Sequence, residues 1–262
     1  MLRPILLFPL LLAALYAAPT LQEMQQEQRI ALIVANGNYA NAPLPDAPKE
    51  AVRMRDFLKQ HGFETLYYEN ADKRTFIKAL RELALRTKAG GIALFYYYGH
   101  ALQQGGTNFL VPYEAPVLDE RSIRYETINL SNILDKLSKM PCRTAIALLD
   151  TPFGNPFGKR YEPEKPGLAP MKAQRKTSIF LATQPGKKSD GGFTTRFIKA
   201  MQTQGVSLEH GSDTLEQGSK PSQRPHISID PGTRFYFILP ASLSLEEPAP
   251  KPRMQPPARS FG

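Results

Sequence analysis

Apolar residues in this chain come in two kinds of run. Arg29 to Ala35 (RIALIVA) is continuous and rich in aliphatic residues, and it stops at Asn36-Gly37-Asn38, the pattern of a strand buried on both faces. From Ala47 to Gln60 the apolar residues are spaced instead: Ala47, Ala51, Met54 and Leu58 fall at intervals of four, three and four on one helical face, and Gly62 follows where a C-terminal cap would sit. Glu64 to Tyr68 predicts a second strand. Asn70 or Asp72 can cap a helix with the stripe Phe76, Leu80 and Leu83, which ends at Gly90-Gly91. Ile92 to Tyr97 predicts another buried strand, Ser131 opens a helix through Ile133, Leu134 and Leu137, and Cys142 to Leu149 (CRTAIALL) predicts a fourth central strand. Strands and helices in this alternation make an α/β fold, a mostly parallel central sheet with helices on both faces. In such sheets chemistry gathers beyond the carboxyl ends of the strands. Two predicted ends carry polar residues: Gly99-His100 and Asp150.

The domain, residues 29–240, is flanked by different sequence. Residues 1–18 hold one charge at Arg3, an apolar stretch from Ile5 to Ala14 and then small residues. This predicts a signal peptide and an exported protein, periplasmic or secreted. Cleavage signals are poor around Ala17 and Ala18, so a membrane anchor left uncleaved is the alternative. Residues 19–28 read as a polar spacer, 209–225 as a mobile loop, and 241–262 as a proline-rich disordered tail.

Composition narrows the chemistry. The 262 residues include one cysteine and four histidines, which excludes a disulfide framework and any zinc site built on two or more cysteines; no metal and no cofactor are expected. Lys and Arg number 33 against 24 Asp and Glu, a net charge of +9. Residues 159–188 hold Lys159, Arg160, Lys165, Lys172, Arg175, Lys176, Lys187 and Lys188 against Glu162 and Glu164, so +6 of that excess lies in one predicted loop. Either it is a solvated loop or it is a rim that attracts an acidic partner. Nucleic acid is disfavoured for an exported protein, and the segment's two aromatics, Tyr161 and Phe180, fall short of the regular interleaving with charge that single-strand binding requires. Taken on residue type alone, Asp150 reads as a strand-end turn or helix cap, Tyr96 to Tyr98 as strand packing, and Cys142 as a small core hydrophobe.

The segments RIALIVANGNY, PLPDAPKEAVRMRDFLKQHGF, ALFYYYGHALQQGGTNFLVPYEA and LLDTPFGNPF, followed by GLAPM, ATQPG and Asp190-Gly191, resemble the caspase-like cysteine peptidases, especially the bacterial metacaspase-type members. The resemblance runs from Arg29 to about Leu239. It implies a caspase-like three-layer sandwich, with His100 as the family base and the catalytic cysteine's place taken by Pro152. Proline supplies neither a nucleophile nor a backbone N–H for an oxyanion. Ala101 stands where the family's second oxyanion glycine would be. By the same resemblance Asp150 and Asp190 would receive a basic substrate side chain, and Glu50 matches an acid of the first helix. The expectation is an exported pseudopeptidase that binds a peptide or protein, with the family's endopeptidase activity, cleavage after basic residues, lost. One alternative is a hydrolase using a displaced nucleophile such as Thr151. Another is an interaction protein working through the basic loop and the proline-rich tail.

Overall fold

The computed structural model describes residues 18–117, 119–152, 155–158 and 165–242. Along the chain run α1 (Leu21–Gln26), β1 (Arg29–Ala35), α2 (Ala47–Gln60), β2 (Phe63–Glu69), α3 (Lys73–Arg86), β3 (Ile92–Tyr98), β4 (Ala101–Gln104), β5 (Thr107–Leu110), α4 (Glu120–Glu126), β6 (Ile128–Asn129), α5 (Leu130–Lys139), β7 (Thr144–Asp150), β8 (Thr177–Leu181), α6 (Phe193–Met201), α7 (Leu208–Gln217) and β9 (His226–Ile229). Six strands form the main sheet in the order β2-β1-β3-β7-β8-β9, parallel except for the pairing of β9 with β8. Strands β4, β5 and β6 form a second, antiparallel sheet.

Every residue of β1, β3 and β7 is buried, as continuous apolar runs require when helices cover both faces. Alternate side chains divide the core. Ile30, Leu32, Val34, Phe95 and Tyr97 pack against α3 and α5. Ala31, Ile33, Leu94 and Tyr96 face α2, α6 and α7 on the other side, where Phe235 and Phe237 close the layer. The result is the expected three-layer α/β sandwich. From β1 the chain crosses outward to β2, and from β3 it crosses the other way to β7. The carboxyl ends of β1 and β3 therefore border the point where the winding reverses, the place at which doubly wound sheets open a crevice.

Of the two candidate caps for α3, Asp72 is the one used, accepting from the Thr75 N–H at 2.7 Å. Asn70 (φ 46°) instead accepts from the Gly37 and Asn38 amides and ties down the loop after β1. Asn129, two residues before the expected opening at Ser131, caps α5 by accepting from the Ser131 N–H.

Four expectations need correction. Residues 19–28 are not merely a spacer, because Thr20 and Glu23 form a reciprocal capping box that starts α1. Met24 and Glu27 are buried, and Glu27 pairs with Arg29 and Arg143. Residues 209–225 are not one loop: Ser207 caps α7, and a short 3₁₀ turn follows at Pro221–Gln223. The buried face of α7 includes Gly211, which lets the helix close on Met201, and the polar Ser212, so no continuous apolar stripe announces it. Residues 159–188 contain the fully buried β8, so the basic charge is distributed rather than gathered in one loop. Finally, Cys142 precedes β7 and is buried in the turn before it. The expected signal peptide up to Ala17 and the tail beyond Ser242 lie outside the described residues. Among the described residues no helix is long and apolar enough to cross a membrane.

Candidate functional site

The loop that follows β3 is held from below by a buried polar cluster. Tyr39 and Tyr97 bring their hydroxyls to 3.3 Å of each other, and both reach the Val111 carbonyl, at 2.8 and 2.9 Å. Tyr97 also lies 2.8 Å from the His100 carbonyl, and the His100 N–H donates to the Tyr39 hydroxyl at 3.2 Å. The sequence permits this because Gly99 has no β-carbon: one built there would lie 2.4 Å from the Tyr97 hydroxyl oxygen and 2.9 Å from that of Tyr39. Asn36, fully buried at the end of β1, adds a fixed point by bonding Ala71 on both its amide atoms and the Val111 carbonyl. The quoted motifs downstream serve the same scaffold. Asn108 exchanges hydrogen bonds with the Ala169 backbone, and Phe157 packs with Tyr39 in a small third core.

His100 is 1% exposed. Its Nε2 donates to the Ala42 carbonyl at 2.6 Å, which sets the tautomer, because a carbonyl can only accept. The Tyr39 ring rests 4.5 Å away, centroid to centroid. Nδ1 is buried and makes no hydrogen bond of good geometry. Burial lowers the imidazole pKa, and the Ala42 and Pro152 carbonyls beside the ring only partly oppose this. The ring is thus held neutral, oriented through one nitrogen, with a basic lone pair on the other: the state a general base needs.

The second strand end is β7. Asp150 is fully buried, and one carboxylate oxygen, Oδ2, accepts from the Thr194 N–H at 3.0 Å and the Thr194 hydroxyl at 2.9 Å. It thereby reaches the amino end of α6, a helix 44 residues further along the chain, where the helix dipole favours an anion. The other oxygen, Oδ1, is buried without a partner. Burial pushes the carboxyl up to about 6, despite the Thr194 bonds and the nearby Arg196 charge. Asp190 lies at the same helix end, accepting from the Gly192 N–H and gripping Arg196 through both oxygens at 3.2 Å. Glu50, on α2, is paired with Arg53 at 2.9 Å.

The structure brings His100 and Pro152 together, and it brings Asp150 and Asp190 to one helix terminus. Pro152 is half-buried and bridges Ser189. Thr151 is half-buried and its hydroxyl bonds to none of the described residues. Cys142 lies before the far end of β7, a strand that alone spans about 20 Å, and burial pushes its thiol pKa up. The exposed Lys187 and Lys188 follow β8 on the site side, whereas Arg175 and Lys176 precede it at the opposite end. Among the described residues no three His, Cys, Asp or Glu side chains converge as metal ligands. An open groove of about 600 Å³ lies between α2 and α6, along Arg53, Phe57, His61 and Ile198, and includes neither strand end. Ala42, Thr194 and Arg196 were not legible in the sequence, because each acts through a contact made only on folding; Tyr39 stood in the quoted first-strand motif but carried no role there.

Solved structures share this architecture. The Drosophila initiator caspase Dronc superposes with a TM-score of 0.59 at 13% identity, covering 82% of this chain and 84% of that one. Protein GSU0716 from Geobacter sulfurreducens does so with a TM-score of 0.58 at 15% identity, covering 81% and 99%. At these identities the likeness is one of fold. By sequence, the mucosa-associated lymphoid tissue lymphoma translocation protein 1 of Homo sapiens is 29% identical over 91 residues, 34% of this chain and 11% of that protein, and its homolog in Mus musculus is 28% identical over the same length. The match that spans the fold is to the Caspase domain, from residue 28 to residue 236; it takes in every strand of both sheets, the His100 loop and the end of β7, and the chain belongs to that family.

Proposed function

We propose that the protein is a metacaspase-type pseudopeptidase of bacterial kind, exported from the cell, that binds a peptide or protein segment through a cleft for a basic side chain and does not cleave it. The surroundings of His100 support this reading. The base keeps its orientation and a free lone pair, yet the group beside it is Pro152, which offers no thiol and no backbone N–H. In enzymes whose nucleophile and base act as a unit, loss of the nucleophile alone costs about 10⁶ in turnover, and loss of one oxyanion donor about 10²–10³. Asp150, buried with one carboxylate oxygen unoccupied, is the acid offered to a basic side chain. The exposed Lys165, Lys187 and Lys188 favour an acidic surface on the partner near the same end of the sheet.

The test is an assay of the full chain on fluorogenic peptides ending in Arg, Lys or Asp. The expected result is no turnover, with measurable turnover after arginine or lysine appearing in Pro152→Cys. Turnover by the unaltered protein that His100→Ala abolishes would overturn the proposal. It would turn attention to a displaced nucleophile such as Thr151, identified by electrophile labelling that Thr151→Val removes.

A further inference from the structure

The three acids of the cleft stand in different states. Glu50 and Asp190 each already hold a guanidinium of this chain, Arg53 and Arg196 respectively, while Asp150 holds none. Arg196 is the fourth residue of α6, and a cation in the first turn of a helix opposes the dipole. Its guanidinium lies against the Asp190-Gly191-Gly192 turn: a β-carbon on Gly192 would meet Nη1 at 2.8 Å, and one on Gly191 would lie 3.0 Å from the Tyr98 hydroxyl and 3.3 Å from the Pro152 ring. The turn against which the Arg196 guanidinium packs thus abuts the place of the missing nucleophile.

Two atoms at this helix end are left over. Arg196 Nε, a donor, and Asp150 Oδ1, an acceptor, are both buried without a hydrogen bond. Buried charged groups are ordinarily satisfied, and here the orphans carry opposite charge, with Arg196 close enough to act on the Asp150 carboxyl. Such an arrangement fits a pocket for a cation that is partly filled from within.

Resting on the reading of this cleft as a peptide-binding pocket, we propose that Arg196 is the pocket's resident cation: a basic side chain of the bound peptide enters by displacing the Arg196 guanidinium from Asp190, so Arg196 sets the affinity for arginine- and lysine-containing peptides. The test is fluorescence anisotropy on the full chain, using a labelled hexapeptide with one central arginine and its norleucine counterpart. Arg196→Gln binds the arginine peptide at least about fivefold more tightly than the unaltered protein, the scale of one partly exposed ion pair, and leaves the norleucine peptide unchanged. If the unaltered protein prefers arginine but Arg196→Gln binds it no more tightly, the resident-cation proposal is overturned and the cleft reading stands. If neither protein distinguishes the two peptides, the cleft reading fails and takes this proposal with it. A second measurement needs no variant: the resonance of the buried Nε–H of Arg196 moves on saturation with the arginine peptide and not with the norleucine peptide. A resonance indifferent to both, at concentrations that saturate binding, also overturns the proposal.

Discussion

Asp150→Asn perturbs one buried charge and little else in shape. Asp150 is fully buried, and its carboxyl is pushed up to about 6 from an ordinary 3.8. About two pKa units at about 1.4 kcal/mol each amount to about 3 kcal/mol of preference for the protonated form in the folded state. The sign follows from proton counting. Between about pH 3.8 and 6 the folded protein binds more protons than the unfolded chain, so Asp150 gives its full stability below that range and loses it as pH rises through 6. Asparagine keeps an acceptor for the Thr194 N–H and hydroxyl but cannot ionise. It also places an NH₂ where Oδ1 now lacks a partner, which adds an offset independent of pH. The informative quantity is therefore the change with pH in the stability difference between the variant and the unaltered protein, measured by urea unfolding from pH 3.5 to 8. It should move by about 3 kcal/mol in favour of Asp150→Asn and level off above pH 6, a shift in midpoint of about 1 M or more at ordinary slopes. A difference that is flat with pH, or that moves toward the unaltered protein, would refute the reasoning. It would mean that Arg196 and the amino end of α6 hold Asp150 ionised.

His100 carries the opposite sign. Burial lowers its pKa in the folded state, so its contribution is complete above about pH 6.5 and is lost as pH falls through the folded value; an NMR titration of its ring protons should give a midpoint below 6.5, and a value above 6.5 would mean that the Ala42 and Pro152 carbonyls outweigh burial. Gly99→Ala places a β-carbon against two fixed hydroxyls, and overpacking of this kind costs about 1–3 kcal/mol, readable as a lowered urea midpoint; an unchanged midpoint would mean that the Tyr39–Tyr97 cluster is free to move.

The α/β sandwich and the two strand ends were legible in the sequence because a strand covered on both faces is apolar along its length, as IALIVA, IALF and AIALL are, and polar residues then mark its ends. Helices with long apolar stripes, such as α3 with Phe76, Leu80 and Leu83, were legible for the same reason. Helix α7 was not, because its inward face uses Gly211, whose value is its small size against Met201, and the polar Ser212. Nor was α1, whose capping box stands outside any long apolar run. At the site, the sequence by itself placed a histidine and an aspartate after parallel strands and a proline two residues beyond the second of these. Tertiary structure decided their states. Ala42, 58 residues before His100, fixes which ring nitrogen carries the proton. Thr194, 44 residues after Asp150, takes one carboxylate oxygen and leaves the other unoccupied, and Arg196 takes up the charge of Asp190. Residue type fixes what a side chain can donate, accept or ionise. Burial and the partners that folding brings from distant segments fix which of those states it holds.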